Sequence, residues 1–202
     1  MFVIGLAGGR GSGKSIVAVF FGINHIPTFD CDGVYHKLIS RRGALTHELA
    51  QVFGEGILLP DGFVNRRALA EIVFSDEEKR KTLNRITHKH ILDALHDWLK
   101  QTENEGHSVA LVDAPLLFES GFDRECDVTI AVTAPTETRI DRIVARDGIT
   151  REQAAERIAS QIPDDELEKR ADFVIRNDGD VMNVDKQFRS ILQKINERRK
   201  KK

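Results

Sequence analysis

The chain has 202 residues, of which 41% are apolar and 31% charged, with a formal net charge of −2. That length and balance fit one core domain with attached subdomains and exclude a disordered or fibrous chain, while the near-neutral charge gives no reason to expect nucleic acid or an anionic membrane as partner. No run approaches the ~20 apolar residues of a membrane span, the apolar start is too short for a signal peptide, and Cys31 and Cys126 lack a metal-ligand spacing, so a reducing cytoplasm is expected.

Met1-Phe-Val-Ile-Gly-Leu-Ala7 is short and continuously apolar, as a buried strand should be. It runs into Gly8-Gly-Arg-Gly-Ser-Gly-Lys-Ser15, of the form Gly-x4-Gly-Lys-Ser, and then into Ile16-Val-Ala-Val-Phe-Phe21, apolar enough for an inward-facing helix. Strand, glycine loop and helix in that order make a P-loop, a cradle for the phosphates of a nucleoside triphosphate. Gly8, Gly11 and Gly13 let backbone N–H groups curl round phosphate oxygens with no Cβ in the way. The helix that follows adds free donors and partial positive charge. Lys14 is placed to bring a mobile cation to the β- and γ-phosphates, and Ser15 a hydroxyl to Mg²⁺.

Ile23-Asn-His-Ile-Pro-Thr-Phe29 predicts a second strand ending in Asp30-Cys-Asp-Gly33. Ligands of an open parallel sheet bind beyond the carboxyl ends of its strands, so Asp30 and Asp32 are well placed, and period-2 spacing aims both the same way if the strand persists. The competing reading makes Asp32 the N-cap of a helix opening at Gly33, which would not exclude a catalytic role. From 34 to 106 the pattern is mostly helical, punctuated by Gly54-Glu-Gly56 and Pro60-Asp-Gly62, and suits an acceptor-binding subdomain. Within it, Ser75-Asp-Glu-Glu78 has capping-box spacing for a helix start, and Leu83, Ile86, Leu92, Leu95 and Leu99 give that helix an apolar face, with a break expected near Thr87.

Ser108-Val-Ala-Leu-Val-Asp113 predicts a third strand whose terminal Asp113 is placed to hold Mg²⁺ directly or through water, or else to make a loop hydrogen bond. Asp127-Val-Thr-Ile-Ala-Val132 predicts a fourth, with Pro135 in the first turn of the next helix. That helix carries Arg139, Arg142 and Arg146 on one stripe, opposite Ile140, Ile143 and Val144. Such a row is usually a solvated face; downstream of a P-loop it is also the set of cations a transferring phosphoryl group needs. Thr150-Arg-Glu-Gln153 has capping-box spacing for a short helix ended before Pro163, and the charged, weakly apolar stretch at 141–169 reads as a mobile lid. Ala171-Asp-Phe-Val-Ile175 predicts a fifth strand, Asn177-Asp-Gly179 a turn, and Val181, Val184, Phe188, Ile191, Leu192 and Ile195 one face of a last helix. Arg198-Arg-Lys-Lys-Lys202 is a basic tail, expected to be frayed and solvated. The expected fold is α/β, a P-loop NTPase three-layer sandwich on a five-stranded parallel sheet, with its core in 1–33, 107–140 and 170–202.

In order and over nearly the whole length, several pieces resemble the dephospho-coenzyme A kinase family. They are Gly8–Ser15, Asp30-Cys-Asp32, Asn65-Arg66 with Ile72-Val-Phe74, and Ile86-Thr-His88; then Pro115-Leu-Leu-Phe-Glu119, Arg142-Ile-Val-Ala-Arg-Asp-Gly148, and Ala171–Ile175 with Asn177. The resemblance implies a P-loop core related to nucleoside monophosphate kinases and transfer of the γ-phosphate of ATP, with Mg²⁺, to the ribose 3′-hydroxyl of dephospho-coenzyme A. It implies that Gly8, Arg10, Gly11, Ser12, Gly13, Lys14, Ser15 and Ile16 line the ATP site, with Asn177 in the segment near adenine. Asp32 is implied as general base, and Arg142 and Arg146 as lid arginines. Arg66, His88, Pro115, Leu116, Leu117 and Glu119 are implied as acceptor contacts, although His88 can equally be an ordinary helix-surface histidine.

Four positions depart from the family pattern: Ile16 stands where threonine is common, Arg10 replaces an apolar residue at the crest of the loop, Lys89 replaces a proline, and Arg139 replaces a frequent glutamine. None removes a group the chemistry needs. Two other readings share the P-loop. A nucleoside monophosphate kinase would use the same parts on another acceptor. A nucleotide-gated switch would not need Asp32, and one reading GTP would carry an Asn-Lys-x-Asp motif, which this sequence lacks. Oligomeric state is left open.

Overall fold

The computed structural model describes residues 1–74 and 76–200. The strands are β1 (Phe2–Ala7), β2 (Thr28–Asp30), β3 (Val109–Asp113), β4 (Val128–Thr133) and β5 (Phe173–Arg176), in the sheet order β2-β3-β1-β4-β5. β1 pairs in parallel with β3 and β4, and β4 with β5; the register sets Leu6 beside Asp113 and Ala131 beside Val174. β1 and β4 are buried along their whole length, which is why they read as unbroken apolar runs rather than alternating ones.

The helices are α1 (Lys14–Ile23), α2 (Cys31–Ile39), α3 (Ala44–Phe53), α4 (Arg66–Phe74), α5 (Glu77–Asn104), α6 (Thr136–Asp147), α7 (Arg151–Ala159), α8 (Asp164–Arg170) and α9 (Val181–Arg199). The chain divides into two compact units, Met1–Phe29 with the chain from Thr102 onward, and Asp30–Gln101. In the first, Ile4, Leu6, Ile130 and Val132 on one sheet face pack with Val17 and Phe21 of α1 and Val184, Phe188 and Ile195 of α9. Phe21 and Phe188 meet edge to face at 4.9 Å, both fully buried, each contributing about 1.5–3 kcal/mol by burial alone. In the second, Ile39, Leu45, Leu49, Ile57, Val64, Leu69 and Ile86 form a separate core.

Several local expectations shift. β2 is confined to Thr28–Asp30 because α1 runs on to Ile23 and the chain then turns through His25 at φ 56, in the left-handed region. α2 opens directly after Asp30, so Asp30 and Asp32 do not alternate along one strand. α5 is unbroken over 28 residues; the Thr87 hydroxyl donates to the Leu83 carbonyl at 2.9 Å, which lets a β-branched polar residue sit inside the helix. Ser75, expected as its cap, lies outside the described residues, and Asp76 accepts from the Lys79 N–H at 3.0 Å. The capping box at α7 forms as expected, with Thr150 and Gln153 exchanging bonds at 3.2 and 3.1 Å. Not all of 141–169 stands free: Leu167 of α8 is buried, and Glu168 accepts from the Thr133 hydroxyl at the end of β4, at 2.9 Å.

The end of α9 is tied to the sheet through Asp172. Its carboxylate accepts from Thr129 N at 2.9 Å, the Thr129 hydroxyl at 3.1 Å and Arg198 at 3.1 Å, and Arg198 also lies over the Phe173 ring. Partial burial pushes this carboxyl upward, but the bonds from Thr129 and Arg198 outweigh it and hold it below the usual range. A depressed folded value means that the stabilisation is complete above the unfolded value near ~4 and is lost as pH falls through the lower folded one. Asp172→Ala should therefore lower stability by about 1–2 kcal/mol at neutral pH, through the orphaned Thr129 N–H. In thermal melts the gap between the two proteins should narrow as pH falls and the carboxylate takes up its proton; a gap that stays the same from neutral pH into the acid range would contradict this account.

Candidate active site

The loop at residues 8–13 has four positions without a Cβ, Gly8, Gly9, Gly11 and Gly13, and the structure shows what occupies the space behind three of them. A Cβ on Gly8 would lie 2.8 Å from Ser12 Oγ, and one on Gly11 would lie 2.7 Å from the carbonyl oxygen of Arg139. At Gly13, φ is 87 and a Cβ would collide with Asn177 Nδ2. The glycines thus serve the back of the loop as well as the phosphate side. At Gly11 and Gly13 that second role depends on residues more than a hundred positions away, which no local motif discloses.

The backs of successive peptides are held by three side chains. Arg139 Nε donates to Arg10 O at 2.9 Å, Arg142 Nη1 to Gly11 O at 3.0 Å, and Asn177 Nδ2 to Ser12 O at 2.8 Å. Arg142 Nη2 also donates to Asn177 Oδ1 at 3.1 Å, joining two of the braces. In a trans peptide the N–H points opposite to its C=O. With the carbonyls of Arg10 and Ser12 fixed outward, the N–H groups of Gly11 and Gly13 face the loop interior, and neither has a partner among the described residues. At the start of α1 the first N–H groups are orphaned in the usual way. The result is a set of fixed donors aimed at one point, as an anionic ligand requires.

Lys14 ends the loop and forms an ion pair with Asp113, both side chains about 15% exposed at most. Asp113 is the last residue of β3, paired beside the end of β1, which is why a strand-end carboxylate meets a loop lysine. Ser15 is exposed on the first turn of α1. Ser12 is buried and its N–H closes the loop onto Gly9 O at 3.1 Å, while Ile16 packs on the main core and bonds through its N–H to Gly13 O at 3.0 Å. Arg10 is exposed at the crest.

The arginine stripe of α6 divides rather than acting as one face. Arg139 is 3% exposed and Arg142 half-buried, both bonded to the loop. Arg146 stands in solvent and bonds to Asp147 at 2.7 Å, and Asp147 also takes Arg157 at 2.9 Å. Those bonds hold the Asp147 carboxyl below its usual range, the Arg146 bond contributing most and Arg10 adding a longer-range pull. Asn177, expected near adenine, is buried and spends its amide on the loop and on Arg142, and the turn that follows it is exposed.

The segment after Asp113 is split by burial. Leu117 is fully buried and limits the space over Gly5, and Phe118 lies under the Arg170 guanidinium at 4.7 Å, whereas Leu116 and Glu119 face solvent and Pro115 is intermediate. Leu117 and Phe118 thus belong to the interior, and Pro115, Leu116 and Glu119 are the positions of this stretch with exposed surface.

In the second unit Asp32 lies exposed in the first turn of α2, and the cap is Asp30, which accepts from Gly33 N at 3.1 Å. His36 is one turn beyond Asp32 on the same helix face and bonds through Nδ1 to Arg66, which opens α4. His36 was not singled out by any motif; its i+4 spacing from Asp32 is the signal that could have found it. The neighbouring Tyr35 hydroxyl is pushed up by burial, with Arg66 opposing. His88 sits half-buried on α5, and that burial lowers its imidazole, favouring the neutral form.

Among the described residues no helix is long and apolar enough to cross a membrane, and no group of three or more His, Cys, Asp or Glu side chains could hold a metal. Mg²⁺ at phosphoryl-transfer sites takes only one or two protein oxygens beside phosphate and water, so the hard oxygens of Ser15 and Asp113 are a fitting donor set.

A profile of the family described as dephospho-CoA kinase matches residues 2–183. A dephospho-CoA kinase of Corynebacterium glutamicum is 37% identical over 195 residues, covering 96% of this chain and 98% of that protein. The crystal structure of TT1252 from Thermus thermophilus superposes with a TM-score of 0.81 at 33% identity, over 96% of this chain and 97% of that one. Dephospho-CoA kinase from Campylobacter jejuni gives a TM-score of 0.69 at 26% identity, over 96% of each chain. The chain belongs to the dephospho-CoA kinase family.

Proposed function

We propose that the chain transfers the γ-phosphoryl group of ATP to the ribose 3′-hydroxyl of dephospho-coenzyme A, giving coenzyme A and ADP, the last step of coenzyme A synthesis. The observation that carries this reading is the family match over residues 2–183 on a chain whose nucleotide loop and Lys14–Asp113 pair are formed. In the proposed reaction, the N–H groups of Gly11, Gly13 and the first turn of α1 bind the phosphates, and Lys14 moves to the β- and γ-oxygens. Ser15 and Asp113 would hold Mg²⁺, which would supply further charge neutralisation there. Arg142 and Arg146 are assigned to the charge that builds on the transferring group, Arg146 having to leave Asp147 to reach it. Asp32 orients the acceptor hydroxyl and takes its proton. Arg66, His88, Pro115, Leu116 and Glu119 are assigned to the acceptor, and two cysteines outside any disulfide, Cys31 and Cys126, suit a reducing cytoplasm.

The test is ADP release across a panel of acceptors, followed by phosphorus NMR of the product. Dephospho-coenzyme A should be turned over and its new phosphate should sit on the ribose 3′-oxygen. Turnover of AMP, dTMP or CMP in its place would select a nucleoside monophosphate kinase, and acceptor-independent hydrolysis a nucleotide-gated switch.

A further inference from the structure

We propose that Arg139 is a positioning residue for the nucleotide phosphates, acting through the Arg10–Gly11 peptide. Its side chain is almost wholly buried, and of its three nitrogens only Nη1 is spent on a charge partner. Nε donates to Arg10 O at 2.9 Å, Nη1 to Asp164 at 2.7 Å and Nη2 to Gln161 Oε1 at 3.2 Å. Gln161 Oε1 in turn accepts from Arg10 N at 2.8 Å. Arg10, at the crest of the loop, is therefore held by both its carbonyl and its N–H from one network. The planar fork of the guanidinium makes this possible, since it meets three acceptors in fixed directions where an ammonium would meet them one at a time.

The geometry gives this network a consequence at the ligand. The Arg10 carbonyl is pulled toward Arg139, so the N–H of Gly11 on the same peptide must point away, into the loop interior. Gly11 has φ 78, a region glycine enters without strain, so nothing in its own backbone stops that peptide from flipping. The flip would replace an inward donor by an inward carbonyl, which repels phosphate. Two features show that the loop is shaped to receive Arg139: Gly9 abuts its Nη2, and Gly11 lies so close over its backbone that a Cβ would be 2.7 Å from its carbonyl oxygen. Asp164 neutralises the buried cation and also accepts from Ala134 N at 3.4 Å, which anchors the network to the end of β4. The role assigned to Arg139 is thus distinct from that of a cation touching the reacting atoms. It also explains why the three arginines of α6 differ so much in burial. This inference deepens the proposed nucleotide site but does not depend on which acceptor is used.

The experiment is calorimetric titration of Arg139→Met with ADP, with adenosine as the phosphate-free control. ADP affinity should fall about ten-fold or more while adenosine affinity stays within two-fold, because only the phosphates sense the Gly11 N–H. In ¹⁵N spectra the Gly11 amide should shift on ADP addition in the parent protein and much less in the variant. Arg139→Lys, which keeps a cation for Asp164, and Gln161→Ala, which removes the acceptor of the Arg10 N–H and of Arg139 Nη2 but leaves the Nε bond to Arg10 O, should each give a smaller loss of ADP affinity. These two decide the matter if Arg139→Met fails to fold. Unchanged ADP affinity in the folded variants, or equal losses for ADP and adenosine, would overturn the proposal. Neither outcome touches the acceptor assignment, which the ADP-release panel tests separately.

Discussion

Lys14→Ala should lower kcat by about 10²–10³-fold or more, the range found when one preorganised charge partner is removed from a developing anion. The structure adds a complication that the motif does not show. Lys14 is paired with Asp113, and both are largely buried, so removing the cation leaves a carboxylate with its main partner gone. Breaking a buried pair from one side costs about 3–5 kcal/mol, and residual exposure here should reduce that to roughly 1–3. A fall in activity alone would then be ambiguous between a lost catalytic charge and a weakened fold. The double variant Lys14→Ala/Asp113→Asn separates them. Neutralising the Asp113 carboxylate should return the melting temperature toward that of the parent while kcat stays low, and lower than in Asp113→Asn alone, which measures the share lost with the Mg²⁺ ligand. Recovery of activity together with stability would mean that Lys14 acts on the fold and not on the reaction.

What the sequence discloses and what it withholds follow the range of the interactions involved. The P-loop is legible because its chemistry is local: glycines, a lysine and a hydroxyl within eight consecutive positions, between an apolar strand and an apolar helix. Asp113 is legible as a strand-end carboxylate, but its partner is not, since the Lys14–Asp113 contact arises only when β1 and β3 lie side by side. The arginine stripe shows the same limit. Helical spacing places Arg139, Arg142 and Arg146 in a row, yet exposure, which rises from 3% at Arg139 to 62% of the side chain at Arg146, depends on which turn of α6 meets the loop. Hydropathy counts an arginine as a surface residue, so Arg139 as a buried brace has no signature at the level of pattern. Leu117 shows the opposite limit: it sits inside a motif that resembles an acceptor contact, and its packing into the interior beside Gly5 has no signal in that motif. The α2 start shifted by a residue or two because two aspartates competed for one cap, and the hydrogen bond from Gly33 decides for Asp30. Boundaries of this kind turn on a single bond, which spacing cannot rank.

That capping assignment makes the Asp32 experiment clean. Asp32→Asn should lower kcat at least 100-fold, since general-base assistance contributes 10²–10⁴-fold, or roughly 3–5 kcal/mol of barrier. Asparagine keeps the size of the side chain and removes the charge and the proton-accepting oxygen. Had Asp32 been the N-cap, a change there would have mixed helix stability with catalysis. Asp30 does the capping, and Asp32 is an exposed first-turn residue, so the substitution removes only a favourable helix-dipole term of a few tenths of a kcal/mol. Melting should barely move, and ADP affinity should hold, because the phosphate donors belong to the loop and α1. Asp30→Ala provides the mirror image: about 1 kcal/mol of stability lost with the cap, and kcat retained once the protein is folded. The loose transition state of phosphoryl transfer asks little of a base until late, so part of the effect will be orientation of the hydroxyl, seen as a rise in the acceptor KM beside the fall in kcat. A Mg²⁺ role would show itself differently, as a weaker dependence of ATP binding on Mg²⁺ concentration in the variant. An Asp32→Asn enzyme within a few-fold of the parent in kcat, with acceptor KM unchanged, would end the assignment and leave the acceptor proton to water.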